Sequence, residues 1–253
     1  MALYLIGLGL GDERDITLKG LEFAKKSDYV YLERYTAILP AGKEKLEKLI
    51  GKKILDAERI DMEQGSSELI EKAKNSDVSV LVVGDPLSAT THAEIMREAE
   101  EKGVKAFVVN NASILNAIGS VGLQLYKFGK TTSIPFPEEG FTPETPYDVL
   151  AENLSIGAHT LILLDLRPKE GKFMTANDGI KYMLDIEGRR KKGIFTEKTL
   201  CIGCARMGSD DSTIKSGTAK QLLAEDFGKP LHCIIIPGKL HFVEEDCIKR
   251  WRV

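Results

Sequence analysis

Short apolar runs alternate with amphipathic stretches along nearly the whole chain. Leu3-Tyr-Leu-Ile6 and Tyr29-Val-Tyr-Leu32 have the length and β-branched or aromatic content of strands, and Lys53-Ile-Leu55 makes a shorter one. Helical spacing appears from Thr17 to Lys26, from Lys43 to Ile50 with Gly51 as its stop, and from Ser67 to Lys74. Val78-Ser-Val-Leu-Val-Val83 is almost uniformly apolar, as expected of a strand covered on both faces. Thr91-His-Ala-Glu94 matches a capping box, predicting a helix that runs to Gly103, followed by a strand over Val104 to Val109.

The second half repeats the alternation less cleanly. Ile114 to Lys127 has helical character weakened by Gly119 and Gly122. A strand is expected at Thr131 to Ile134, and the proline-rich segment Pro135 to Pro146 punctuates the chain. Beyond it come a helix at Tyr147 to Leu154, a strand at Thr160 to Leu164 and a helix opened by Thr175-Ala-Asn-Asp178. Strands follow at Leu200 to Ala205 and Cys233 to Ile236, and Asp211 to Thr218 is expected as an extra hairpin arm. Strands alternating with helices imply an α/β protein with mainly parallel or mixed sheets. The boundary is placed near Asn110 to Ser113, giving one α/β domain over residues 1–111 and a second over residues 112–253.

Composition narrows the function. Apolar residues make up 43% of 253, enough for sizeable cores, and the net charge of −3 argues against a general nucleic-acid binder. No apolar run approaches the roughly 20 residues needed to span a bilayer. The N-terminal stretch lacks a basic leader, so a cytoplasmic location is expected. Four cysteines are too few for a disulfide scaffold. Cys201 and Cys204 lie three apart on a strand and point to opposite faces, so no metal is expected there. Met174, Met183 and Met207 are expected as gap fillers.

Two segments carry candidate chemistry. Gly7-Leu-Gly-Leu-Gly11 directly follows the first strand, where glycines let the backbone turn sharply. The dinucleotide fingerprint needs a sixth-position glycine, but Asp12 stands there. Asp12, Glu13 and Asp15 also crowd the place of a pyrophosphate, with Arg14 alone to offset them. Glu33, about where a ribose-binding acid would fall, is expected to be a solvated strand end. The second segment, Gly84-Asp-Pro-Leu-Ser-Ala-Thr-Thr-His92, sits at the carboxyl end of the most apolar strand, the edge where open α/β sheets bind ligands. Asp85 there is either a ligand contact or a turn residue. Of the histidines, His92 is expected at a helix start or beside a substrate, and His159 and His241 as structural. The basic run Arg189-Arg-Lys-Lys192 closes a helix or guides a protein partner.

Gly7-Leu-Gly-Leu-Gly-Asp12 together with Gly84-Asp-Pro-Leu87 resembles the tetrapyrrole methylase superfamily. More narrowly, Tyr4 to Thr17, Gly84 to Glu94, Leu125-Tyr-Lys-Phe-Gly129, Met174-Thr-Ala-Asn177 and Ile236-Pro-Gly-Lys-Leu-His241 resemble the diphthine synthase family. The resemblance implies two α/β domains with a cofactor cleft between them. It also implies N-methylation of a modified histidine, the 3-amino-3-carboxypropyl-histidine of translation elongation factor 2. S-adenosylmethionine is the implied methyl donor, leaving S-adenosylhomocysteine. The cofactor contacts it implies are Leu10, Asp85, Ser88, Ser113, Ile114, Leu164, Met207 and His232, with those at Ser88 and Met207 made through the backbone. It further implies a homodimer, and assigns no catalytic side chain. The alternatives are a methyltransferase acting on a corrinoid or other tetrapyrrole, or an NAD-dependent oxidoreductase using the first glycine turn.

Overall fold

The computed structural model describes residues 1–33, 38–39, 42–57, 68–88, 92–138 and 140–253. These residues gather into two compact units. One holds Met1–Ala117 with Gly208–Asp210, the other Ile118–Met207 with Asp211–Val253.

The first unit is built on a parallel sheet of β1 (Leu3–Gly7), β2 (Tyr29–Glu33), β3 (Leu55–Ala57), β4 (Val78–Val82) and β5 (Ala106–Val109), in the order β3-β2-β4-β1-β5. All five residues of β4 are buried, as its apolar run demands. Helices α1 (Leu18–Lys26) and α2 (Lys43–Ile50) cover one face, where Ala24, Leu46 and Ile50 pack with Ile6, Val30, Leu32 and Leu81. Helices α3 (Glu68–Ala73) and α4 (Ala93–Glu101) cover the other, where Leu69, Ile70, Ile95 and Ala99 meet Leu3, Leu5, Val80 and Val82. Thr17 caps α1 by accepting from the Gly20 amide at 3.0 Å, and left-handed Gly51 ends α2. The third strand lies two residues beyond its expected start, because Ile54 is spent in the core before the strand begins. The Thr91 cap lies outside the described residues, as does Ser67. A single helical turn, α5 (Ile114–Ala117), closes the unit.

The continuous helix expected from Ile114 to Lys127 is not formed. It breaks into α5 and two 3-10 turns, Ile118–Val121 and Leu125–Lys127. Gly122 is the reason. Its φ of +103° is closed to most side chains, and a Cβ there would lie 2.4 Å from Cys247 Cβ.

The second unit carries a mixed sheet ordered β11-β10-β12-β7-β6. Its strands are β6 (Thr132–Ile134), β7 (Thr160–Leu164), β10 (Leu200–Ala205), β11 (Thr213–Thr218) and β12 (His232–Ile236). Only β6 and β7 pair in parallel; the other ladders are antiparallel, so this domain is less parallel than its sequence alternation suggested. The residues read as an extra arm form β11, the edge strand paired with β10 from Leu200↔Thr218 to Ala205↔Thr213. A small hairpin, β8 (Leu166–Arg167) and β9 (Lys172–Phe173), follows β7. Helices α6 (Thr145–Ser155) and α7 (Ala176–Arg190) share one core with the sheet through Tyr147, Leu150, Ile180, Met183 and Ile186. Thr175 and Asp178 form a reciprocal capping box at the start of α7. The short α8 (Ala219–Leu222) and α9 (Phe242–Lys249) complete the unit.

Candidate functional site

In the first unit, β1 and β4 lie side by side, but the chain leaves them in opposite directions. From β1 it crosses to β2 by way of α1; from β4 it crosses to β5 by way of α4, on the other face. Their carboxyl ends therefore form a topological switch point, where open α/β sheets bind ligands. The two loops that leave it are tied together. Leu8 N–H donates to Val82 O at 2.8 Å, Gly9 N–H to Gly84 O at 3.1 Å, and Gly84 N–H back to Gly9 O at 2.8 Å.

The glycine turn is filled by the protein itself. A Cβ on Gly7 would lie 2.7 Å from Asn111 Cβ, and one on Gly9, whose φ is +76°, would lie 2.6 Å from Asp15 Cβ. Asp15 Oδ2 accepts from Gly11 N–H at 2.7 Å. Arg14 lies against Asp12, its guanidinium donating to both carboxylate oxygens, and comes within 3.7 Å of Asp210. The Arg14 hydrogen bonds hold the Asp12 carboxyl below its usual range. The glycines thus admit Asn111 and Asp15, and two carboxylates stand where the pyrophosphate of a dinucleotide would be placed.

Asp85 follows β4 and is 6% exposed. Its Oδ1 accepts from Leu87 N–H at 2.9 Å and Ser88 Oγ at 3.1 Å; its Oδ2 accepts from Asn110 Nδ2 and Asn111 N–H, each at 3.0 Å. Burial alone would raise its pKa, but these donors bring it below the usual carboxylate value, so it stays ionised near neutrality. Four donors fill the acceptor sites of a carboxylate. The turn reading of Asp85 is what these bonds show: it organises its turn and keeps its charge at the carboxyl edge of β4. His92 stands at the start of α4, fully buried, with Nδ1 3.0 Å from Pro86 O. It is a helix-start residue that braces the turn. Around the turn, Leu10 packs beside Gly84 and Gly208. Buried Ser113 donates its N–H to Asn116 Oδ1 at 2.9 Å and accepts from Leu115 N–H at 3.2 Å, with half-buried Ile114 between them. Leu10, Asp85, Ser88, Ser113 and Ile114 are thus gathered at one edge of the first sheet.

The remaining predicted contacts gather at one end of the second sheet. Leu164 ends β7 and His232 opens β12, where Leu163 pairs with Cys233. Met207 follows β10 by two residues, beyond the Ala205↔His232 pair. His232 Nδ1 accepts from Ala176 N–H at 3.1 Å, so its proton lies on Nε2, which donates to Lys229 O at 2.9 Å. Burial lowers its pKa, and the ring is neutral. Met174 and Met183 are buried fillers of the second core, and Met207 is buried beside β10. Sequence reasoning missed Arg206. With φ +49° and little exposure, it donates to Asp211, Thr213, Phe227 and Lys229 and so binds together the loops that flank Met207 and His232.

Glu244 was also missed. It is wholly buried, yet accepts from Gln124 N–H at 2.9 Å, His241 N–H at 2.8 Å, His159 Nε2 at 3.0 Å and the Lys127 ammonium. Burial works against its charge, but Lys127 and these donors hold its pKa down at about 2. It fastens Leu125–Gly129 to Ile236–His241. His159 is structural as expected, since Gly238 N–H donates to its Nδ1 at 2.9 Å. His241 stands at the N-cap of α9. Glu33 corrects the sequence reading: the last residue of β2 is fully buried and is not a solvated strand end. Arg189 and Arg190 pair with Glu144 and Asp148, which occupies half of the basic run. Cys201 faces the α6–α7 core, and Cys204 sits opposite Cys233. Among the described residues no cluster of three or more His, Cys, Asp or Glu is arranged to hold a metal ion.

Comparison with known proteins agrees with this geometry. Residues 2–223 match the family of tetrapyrrole (corrin/porphyrin) methylases. The chain is 53% identical to the diphthine synthase of Methanocaldococcus jannaschii, over 98% of this chain and 97% of that one. It is 51% identical to the enzyme of that name from Methanococcus maripaludis, again over 98% and 97%. A crystal structure of a diphthine synthase superposes with a TM-score of 0.91 at 38% identity, covering 100% of this chain and 96% of the other. The match along nearly the whole chain makes this protein a methyltransferase of the tetrapyrrole methylase family, and within that family it belongs with the diphthine synthases.

Proposed function

We propose that the protein binds S-adenosylmethionine and methylates the amino group of the 3-amino-3-carboxypropyl-histidine of translation elongation factor 2. The observation that carries the ligand class is the ionised, internally saturated Asp85 at the switch point, beside a glycine turn filled by Asn111 and Asp15. Negative charge at this edge suits a cationic sulfonium and opposes a pyrophosphate. Leu10 and Ile114 offer apolar surface and Ser113 a backbone turn, the mixture that small-molecule sites use. Leu164, Met207 and His232 are proposed as further contacts to the cofactor, as the sequence resemblance implies. A cytoplasmic homodimer is part of the same proposal.

The bound cofactor supplies an electrophilic methyl group. The protein's own contribution is to orient and to exclude water. Well-oriented groups gain roughly 7–11 kcal/mol in such reactions. A free α-amino group ordinarily titrates at about 7.7–8.0, so a sizeable neutral fraction exists near neutrality without a dedicated base. Titration calorimetry tests the ligand class. S-adenosylhomocysteine is expected to bind in the micromolar range, about −8 kcal/mol, and NAD much more weakly. Tighter binding of NAD would overturn the assignment.

A further inference from the structure

Three loops meet at the carboxyl edge of the first sheet, and one residue bonds to all of them through its side chain and its backbone. Asn111 Nδ2 donates to Gly7 O at 2.9 Å and to Asp15 O at 2.9 Å. Its Oδ1 accepts from Ala112 N–H at 2.7 Å, and its own N–H donates to Asp85 Oδ2 at 3.0 Å. Its Cβ takes up the space that a side chain at Gly7 would need, and its Oδ1 lies 3.4 Å from the Cβ position of Gly9. The glycine turn, the Asp85 turn and the Ala112–Ser113 segment are all fastened to this one residue.

We propose that Asn111 is the positioning residue that couples the glycine turn to the Asp85 turn and so sets the affinity of the enzyme for its cofactor. This inference rests on the cofactor assignment made above. Asn111 does two tasks, one through its side chain and one through its backbone. Its NH2 group satisfies two carbonyls of the first loop, while its oxygen and backbone N–H fix the other two segments. Asn111→Asp keeps the shape but replaces the donor with a charged acceptor facing Gly7 O and Asp15 O. The first loop then keeps its backbone bonds to Val82 and Gly84 but loses its hold on the Ala112–Ser113 segment, and Leu10 shifts with it.

Two measurements test this. In calorimetry with S-adenosylhomocysteine, Asn111→Asp and Asn111→Ala are expected to bind about ten- to a hundredfold more weakly than wild type. The KM for the protein substrate should stay within about twofold, since an effect confined to the cofactor loops does not extend to protein docking. Then Asn111→Asp is combined with Asp85→Asn in a double-mutant cycle. Because Asn111 bonds to both turns, the losses in the double variant should be less than additive; fully additive losses would contradict the coupling. A variant that melts lower but binds within twofold of wild type shows Asn111 to be a fold-stabilising residue only, and overturns the proposal while the cofactor assignment stands. If wild type itself does not bind the cofactor, the assignment and this inference fall together.

Discussion

Titratable side chains in this protein are neutral or charged because of what surrounds them, and that has a consequence for stability. His159 and His232 are buried, with pKa values pushed down by desolvation, so the folded protein resists protonating them. The unfolded chain takes up those protons below about pH 6.5, which favours unfolding as the pH falls. Glu244 acts at lower pH in the same direction. Despite burial, Lys127 and its other donors hold its pKa at about 2, whereas in the unfolded chain it titrates near 4.5. Its contribution, roughly 3 kcal/mol by linkage, is present above that value and lost as pH falls through the folded one. Thermal melting across pH should therefore decline in two stages, first below about pH 6.5 and again below about pH 4.5. Glu244→Gln should remove much of the second stage, and a melting curve flat from pH 7 to pH 3 would contradict this account.

Among the elements, the break after Ala117 is the clearest test of packing. At Gly122 a methyl group meets both a φ of +103° and Cys247 Cβ at 2.4 Å. Gly122→Ala should cost about 1–3 kcal/mol or more, with melting lowered by about 2–4 °C per kcal/mol in a chain of this size. Gly188 lies in the exposed interior of α7 with nothing within 4 Å of its Cβ position, so Gly188→Ala should instead stabilise by roughly 0.5–1 kcal/mol. Effects of the same sign and size at the two glycines would show that the break has another cause. The two glycines also show how far sequence reasoning reached. Regular elements with strong patterns, such as β4 and β7, were legible because burial on both faces leaves an unbroken apolar run. The Asp85 turn was legible because a carboxylate after such a run has few other uses. Less visible were the elements whose form depends on distant partners. Gly122 is shaped by Cys247, far along the chain. The polar strand β11 lacks alternation because it lies at the sheet edge and takes its register from β10. Asn111, Arg206 and Glu244 escaped for the same reason, since each acts through hydrogen bonds to backbone groups that no local spacing announces.

At the scale of the whole molecule, two α/β units each gather their predicted contacts at one edge of a sheet, and the chain that forms them is a methyltransferase of the diphthine synthase group. Among the described residues, no helix is long and apolar enough to cross a membrane. The net charge of −3 fits recognition of a protein or a small molecule better than of nucleic acid. Within the tetrapyrrole methylase family, a modified protein and a tetrapyrrole are separated as substrates by chemistry at the acceptor and not by the fold. The most direct measurement is mass spectrometry of elongation factor 2 carrying the unmethylated 3-amino-3-carboxypropyl-histidine, after incubation with the enzyme and S-adenosylmethionine. The account predicts that the peptide bearing this side chain gains mass in methyl steps, and only when both enzyme and cofactor are present. An unchanged peptide, with methyl transferred instead to a tetrapyrrole under the same conditions, would contradict it.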